Sequence, residues 1–171
     1  MCDIPPVQVA LTRSELMGEL NSEERGLERA GVEGLALMIL DADGNIASVG
    51  RGDERVHGFE EHELVGRHVS VLYPAEAVAT ELPDLELAVA TFTGCFQHQG
   101  WRVGKDGHRF WAQVELVPVR GPGGGLLGFG YEVQRLPPSV ADAELWARAT
   151  ERAAAAAAAV RELAAYDSSR P

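Results

Sequence analysis

The side chains with the most chemistry to offer in this chain are five histidines, two cysteines and a scatter of carboxylates. A metal site needs such groups at recurring spacings, and a nucleophile needs a base within hydrogen-bond reach. Cys95-Phe-Gln-His98 supplies one Cys-x-x-His pair. On a strand, positions three apart turn to opposite faces, and no second pair occurs elsewhere, so no metal site is assigned. Gly121-Pro-Gly-Gly-Gly125 has the glycines of a phosphate loop but not its Lys-Ser/Thr. No nucleophile–base pair is legible. The expectation is a protein that is not an enzyme.

The elements that would position these groups fall into three regions. Leu35-Ala-Leu-Met-Ile-Leu40, the turn chemistry of Asp41–Asn45 and Ile46–Val49 read as a β-hairpin. From Asp53 to Gly94 the pattern is irregular, with Pro74 and Pro83 punctuating short helices. Strand signals return over Cys95–Val103, His108–Val119 and Leu126–Gln134, separated by Gly104-Lys-Asp-Gly107 and the Gly/Pro loop. This is an α+β arrangement with helices on one face of an antiparallel sheet. Residues 1–34 carry a Thr12-x-x-Glu15 capping box and Leu16, Leu20, Leu27 and Ala30 near helical spacing. Beyond Pro137-Pro138, Ala143–Ala165 is nearly pure helix former, including the run Ala153–Ala159. The expected division is a helical extension over 1–34, a central domain over 35–136, and an Ala-rich helix with tail over 137–171.

The chain has 171 residues, 46% of them apolar, and a formal net charge of -11. That charge repels phosphate backbones and anionic bilayers, so neither nucleic acid nor membrane is expected as a direct partner. No apolar run approaches the ~20 residues of a spanning helix. Met1-Cys-Asp-Ile-Pro-Pro6 does not read as a secretory signal. Cys2 and Cys95 are too few for a disulfide framework. The expectation is a cytoplasmic protein with reduced thiols.

Three segments in the middle carry a family resemblance. Gly58-Phe-Glu-Glu-His-Glu-Leu-Val-Gly-Arg-His-Val-Ser-Val-Leu-Tyr-Pro74 resembles the "GY…EELIGR…LYP" segment of PAS sensor domains. Gly100-Trp-Arg-Val-Gly-Lys-Asp-Gly-His-Arg-Phe-Trp-Ala-Gln-Val114 is similar to their "GW…R…KDGS…FWA" hairpin, and Leu126-Leu-Gly-Phe-Gly-Tyr-Glu-Val133 to their closing strand. The resemblance covers residues 35–136. It implies a five-stranded antiparallel sheet with short helices cupped over one face and a small-molecule cavity between, together with sensing or dimerisation rather than catalysis. It also implies an output partner such as a kinase or a transcription regulator.

Set against the family's cofactor-binding members, the chain lacks the residues that bind flavin. Val69 stands where the light-sensing members carry their cysteine, and it cannot form a flavin adduct. His68, Ala112 and Gly130 replace the polar residues that hold the flavin ring. No cofactor is expected. The alternative is a haem- or non-covalent-flavin-binding sensor, and haem would rest on His57, His62 and His68, because the helix before the third strand has no histidine.

Alternation along the strands, with the family pattern, assigns Leu37, Ile39, Val69, Leu72, Phe110, Ala112, Val114, Leu116, Gly128 and Gly130 to the cavity. The glycines are placed on the cavity side of the last strand. Trp111, Val117, Leu127, Phe129, Tyr131 and Val133 are then expected on the outer face. Such a face needs a cover, and Leu16 and Leu20 of the N-terminal helix, from the same chain or a partner, are assigned to it. This expectation makes the protein a homodimer.

Overall fold

The computed structural model describes residues 34–137, and beyond them only the helical positions Gly18, Ser22, Gly26 and Arg148. The capping box, Leu16, Leu20 and the alanine run lie outside the described residues. The apolar run forms β1 (Leu35–Asp41), followed by β2 (Ile46–Val49). Asp41 fixes the turn between them: its Oδ1 accepts from the backbone N–H of Asp43 at 3.0 Å and of Asn45 at 2.8 Å. This is a side-chain turn that Asp favours. Gly44 completes it at φ +82°, where an added Cβ would fall 2.5 Å from Leu87 and 2.7 Å from His68.

Short helices follow: α1 (Asp53–His57), α2 (Glu61–Leu64), a 3₁₀ turn over Val69–Leu72, α3 (Ala75–Ala79) and the longer α4 (Leu82–Thr93). Pro83 sits in the first turn of α4, where its missing N–H costs nothing, and Gly94 ends it in the left-handed conformation. The remaining strands are β3 (Phe96–Val103), β4 (Arg109–Arg120) and β5 (Leu126–Leu136). All pairings are antiparallel, in the order β2-β1-β5-β4-β3. The five-stranded α+β sheet with short helices was legible in the sequence.

The register settles which side chains face the helices. Ala36, Met38 and Leu40 of β1 lie opposite Val133, Tyr131 and Phe129 of β5. Val114 and Leu116 of β4 continue the same rows, which reach His98 and Phe96 on β3. These β1, β4 and β5 side chains are all at most 1% exposed, and they form the core with Val69 and Leu72 of the 3₁₀ turn and Leu87 of α4. At about 25 cal/mol per Å², this burial is the main force holding the helices down.

Phe110, Ala112, Val114, Leu116, Val69 and Leu72 belong to the buried core, while Trp111 and Val117 alternate with the β4 members of that set and Trp111 is itself buried. On β5 the expectation is inverted. Phe129, Tyr131 and Val133 are core, while Gly128 and Gly130 share the other face with Leu37, Ile39 and Val117. The reason is steric. A Cβ at Gly128 would lie 2.1 Å from the carbonyl oxygen of Leu40, so the glycine lets β5 approach β1 and opens no cavity. Leu127 belongs to neither set and is 58% exposed beside the turn. Cys95 also departs from expectation: it is disulfide-bonded rather than a free thiol.

Candidate functional site

Two clusters of polar side chains are buried under the short helices. The larger centres on Arg102, which alternation along β3 turns inward opposite Phe110. Its Nε donates to the Tyr131 hydroxyl at 3.0 Å, Nη1 to the Trp101 carbonyl at 3.0 Å, and Nη2 to Glu86 Oε2 at 3.2 Å. The guanidinium lies 3.9 Å from the centre of the Tyr73 ring, and the Tyr73 hydroxyl donates to Glu86 Oε2 at 2.6 Å. Arg102 and Glu86 are fully buried. Glu86 comes from α4, Tyr73 from the segment after the 3₁₀ turn, and Tyr131 from β5, so one guanidinium ties helix to sheet.

The energetics of this cluster are mixed. Burial pushes the Glu86 carboxyl up, and Arg102 with the Tyr73 hydrogen bond pulls against that without cancelling it. Burial also lifts both tyrosine hydroxyls. Burial pulls Arg102 down, but the surrounding hydroxyls and carboxylate more than compensate, so it stays charged. Glu86 Oε1 has no hydrogen-bond partner. Such a pair is strong where complete and costly where an oxygen is stranded. His98, on the same face of β3, sits beside this charge and is lowered to about 4 by burial and by Arg102.

The second cluster is local to α1. His57 and Asp53 are one helical turn apart, and His57 Nδ1–H donates to Asp53 Oδ1 at 2.8 Å. Both are at most 1% exposed, and the imidazole packs at 5.3 Å from the Phe110 ring. His57 Nε2 and Asp53 Oδ2 have no partner. A carboxylate holding Nδ1–H leaves Nε2 with its lone pair free, the state in which imidazole binds metals.

The other histidines offered for haem differ in kind. His62 is 76% exposed on α2. His68 accepts from the Ser70 N–H through Nδ1 at 3.3 Å, a capping role, and its Nε2 lies 3.8 Å from Asp84. Of the three, His57 alone is fully buried with an unpartnered Nε2. Val69 is buried and carries no sulfur, so it cannot form a cysteinyl–flavin adduct. Among the described residues no three His, Cys, Asp or Glu side chains cluster as a metal site, and no helix is long and apolar enough to cross a membrane.

Sequence reasoning missed Arg102, Glu86, Tyr73 and Asp53. A signal existed for two of them. Glu86 interrupts the stripe Leu82, Glu86, Ala90 at steps of four on α4, and Arg102 stands at an inward position of an alternating strand.

Comparison with known proteins agrees with this geometry. Residues 34–133 match the PAS fold family. The two-component system protein A of Emericella nidulans is 34% identical over 88 residues, covering 52% of this chain and 13% of that protein. The chain thus spans a small part of that curated relative. Among solved structures, a light-oxygen-voltage domain studied with a flavin analogue superposes with a TM-score of 0.57 at 21% identity, over 76% of this chain and 96% of that one. The PAS domain of a LuxR-family transcriptional regulator from Burkholderia thailandensis, in complex with ethanol, gives 0.51 at 16% identity, over 63% and 96%. At these identities the structural likenesses show the fold.

Proposed function

Because this chain belongs to the PAS fold family, we propose that it is a non-catalytic sensory and dimerisation module of the cytoplasm. In this reading it couples a small molecule or a partner protein to the packing of its flanking helices. The observation that carries the reading is the Glu86–Arg102 pair. A purely structural interior gains as much from apolar packing, whereas here a charge with one stranded oxygen joins α4 to β3 and β5. A ligand or partner that binds one arrangement of these elements more tightly shifts the population toward it. Interior positions Phe110, Ala112, Val114, Leu116, Val69 and Leu72 shape the space beside the cluster. The output partner is a kinase or a transcription regulator, a reading supported by the two-component and LuxR-family relatives. Homodimerisation runs through the sheet face on which Ile39 and Val117 stand half-buried. Native mass spectrometry of the purified chain tests this: a dimer mass supports the reading, and a monomer across micromolar concentrations contradicts the homodimer.

The second reading is a haem sensor, favoured by the buried His57 with its bare Nε2 and carboxylate-held Nδ1. When bound, the iron would supply gas or redox sensing, and His57 would be its protein ligand. A Soret band lost in His57→Ala would establish it, and a spectrum featureless above 320 nm would end it.

A further inference from the structure

A groove of about 550 Å³ opens at the end of the sheet, and Gly34 and Pro137 both line it. These are the residues at which the chain enters β1 and leaves β5, so an occupant would touch both flanks at once. The volume lies within the range of small-molecule sites.

Its charged side chains are the cations Arg109 and Arg135. Arg109 is held by both oxygens of Glu76. Arg135 Nη2 donates to the Val56 carbonyl at 3.1 Å and to His108 Nε2 at 2.7 Å. His108 accepts there, so its proton is on Nδ1, which donates to Asp106. Among the described residues no ion pair joins Arg135 to a carboxylate, and its guanidinium lies 4.5 Å from the centre of the Phe110 ring. The second observation is Trp111. It lines the same groove at 2% exposure, and its indole N–H is buried with no acceptor. An orphaned buried donor of this kind is destabilising unless something accepts from it. Phe110, Leu136 and Pro137 supply apolar wall.

We propose that this groove binds a small amphiphilic carboxylate. The carboxylate pairs with Arg135 and accepts the Trp111 indole N–H, and the apolar body lies against Leu136 and Pro137. Carboxylate on guanidinium is the matched, charge-assisted pairing. The proposal rests on the sensory reading only in its consequence, that occupancy alters how the flanks leave the domain.

The test uses the full chain and octanoate, with octanol as the uncharged control. Amide and indole resonances are followed by NMR, and the Trp111 signal is assigned by W111F. Saturable displacement of that indole signal by octanoate and not by octanol, weakened about tenfold or more in R135Q and largely kept in R135K, is the expected result. Thermal melts confirm that the variants fold. Equal binding by R135Q, equal effects of octanol, or no displacement at millimolar octanoate overturns the site. Spin-label distances between residues 20 and 150 separate the two readings. Binding with unchanged distances supports the site and overturns its coupling to the flanks.

Discussion

The two buried polar clusters differ in what they connect. His57 and Asp53 belong to one five-residue helix, so their hydrogen bond stiffens α1 and little else. Arg102 and Glu86 are 16 residues apart on successive elements, β3 and α4, and with Tyr131 they bridge the long helix to two strands that lie on either side of β4. The same chemistry, a carboxylate against a nitrogen donor, is a local brace in one place and a cross-fold link in the other. A local brace holds a side chain in a chosen tautomer. A cross-fold link makes the position of α4 depend on the charge state of the sheet interior.

That contrast predicts a graded set of losses. Glu86→Ala strands a buried guanidinium and is expected to cost about 3–5 kcal/mol in urea unfolding. The paired replacement Glu86→Leu with Arg102→Met should recover most of it, because it removes the unpaired charge. A single variant as stable as the wild type would mean that the link carries no energy. The inverted face of β5 makes the next prediction. Phe129→Ala should cost about 3–5 kcal/mol, as core aromatics do. Val117→Ala, on the other face, should cost about 1 kcal/mol, and equal losses would break the register assigned here.

The pH dependence near Arg102 is smaller. His98 titrates at about 4 in the folded chain, below its ordinary value, so the unfolded chain binds the proton first. Stability is therefore full above pH 6.5 and falls as pH drops toward 4, by about 2–3 kcal/mol. His98→Gln should flatten that part of the profile, measured by thermal melts across the window. The local brace gives the least. Asp53→Asn keeps the shape but weakens a charge-assisted bond, at roughly 1–2 kcal/mol, and exchange should rise in α1 alone. Faster exchange in α4 as well would erase the distinction between the clusters.

Much of the fold was legible because its signals are local. The hairpin at Asp41–Asn45, the proline-punctuated short helices and the alternating strands each follow from neighbouring residues. The sheet face of β5 was not, because the glycines of Leu126–Val133 admit two readings. Choosing between them requires the contact of Gly128 with Leu40, 88 positions away. Alternation along β4 separates Phe110, Ala112, Val114 and Leu116 from Trp111 and Val117, but the burial of Trp111 at 2% exposure is not visible in that pattern. The Arg102 cluster was hidden for a related reason. Glu86 and Arg102 each look like surface charge until the fold brings them together at 3.2 Å. His57 was singled out by residue type, but only burial separates it from His62 and His68.

Hydrogen exchange on the full chain and on Glu86→Gln tests the cross-fold link most directly, since this change removes the charge and keeps the shape. The account predicts faster exchange in α4, along β5 to Leu136, and in the flanking segment that follows. Faster exchange confined to α4, with β5 and the flank at wild-type rates, would contradict it.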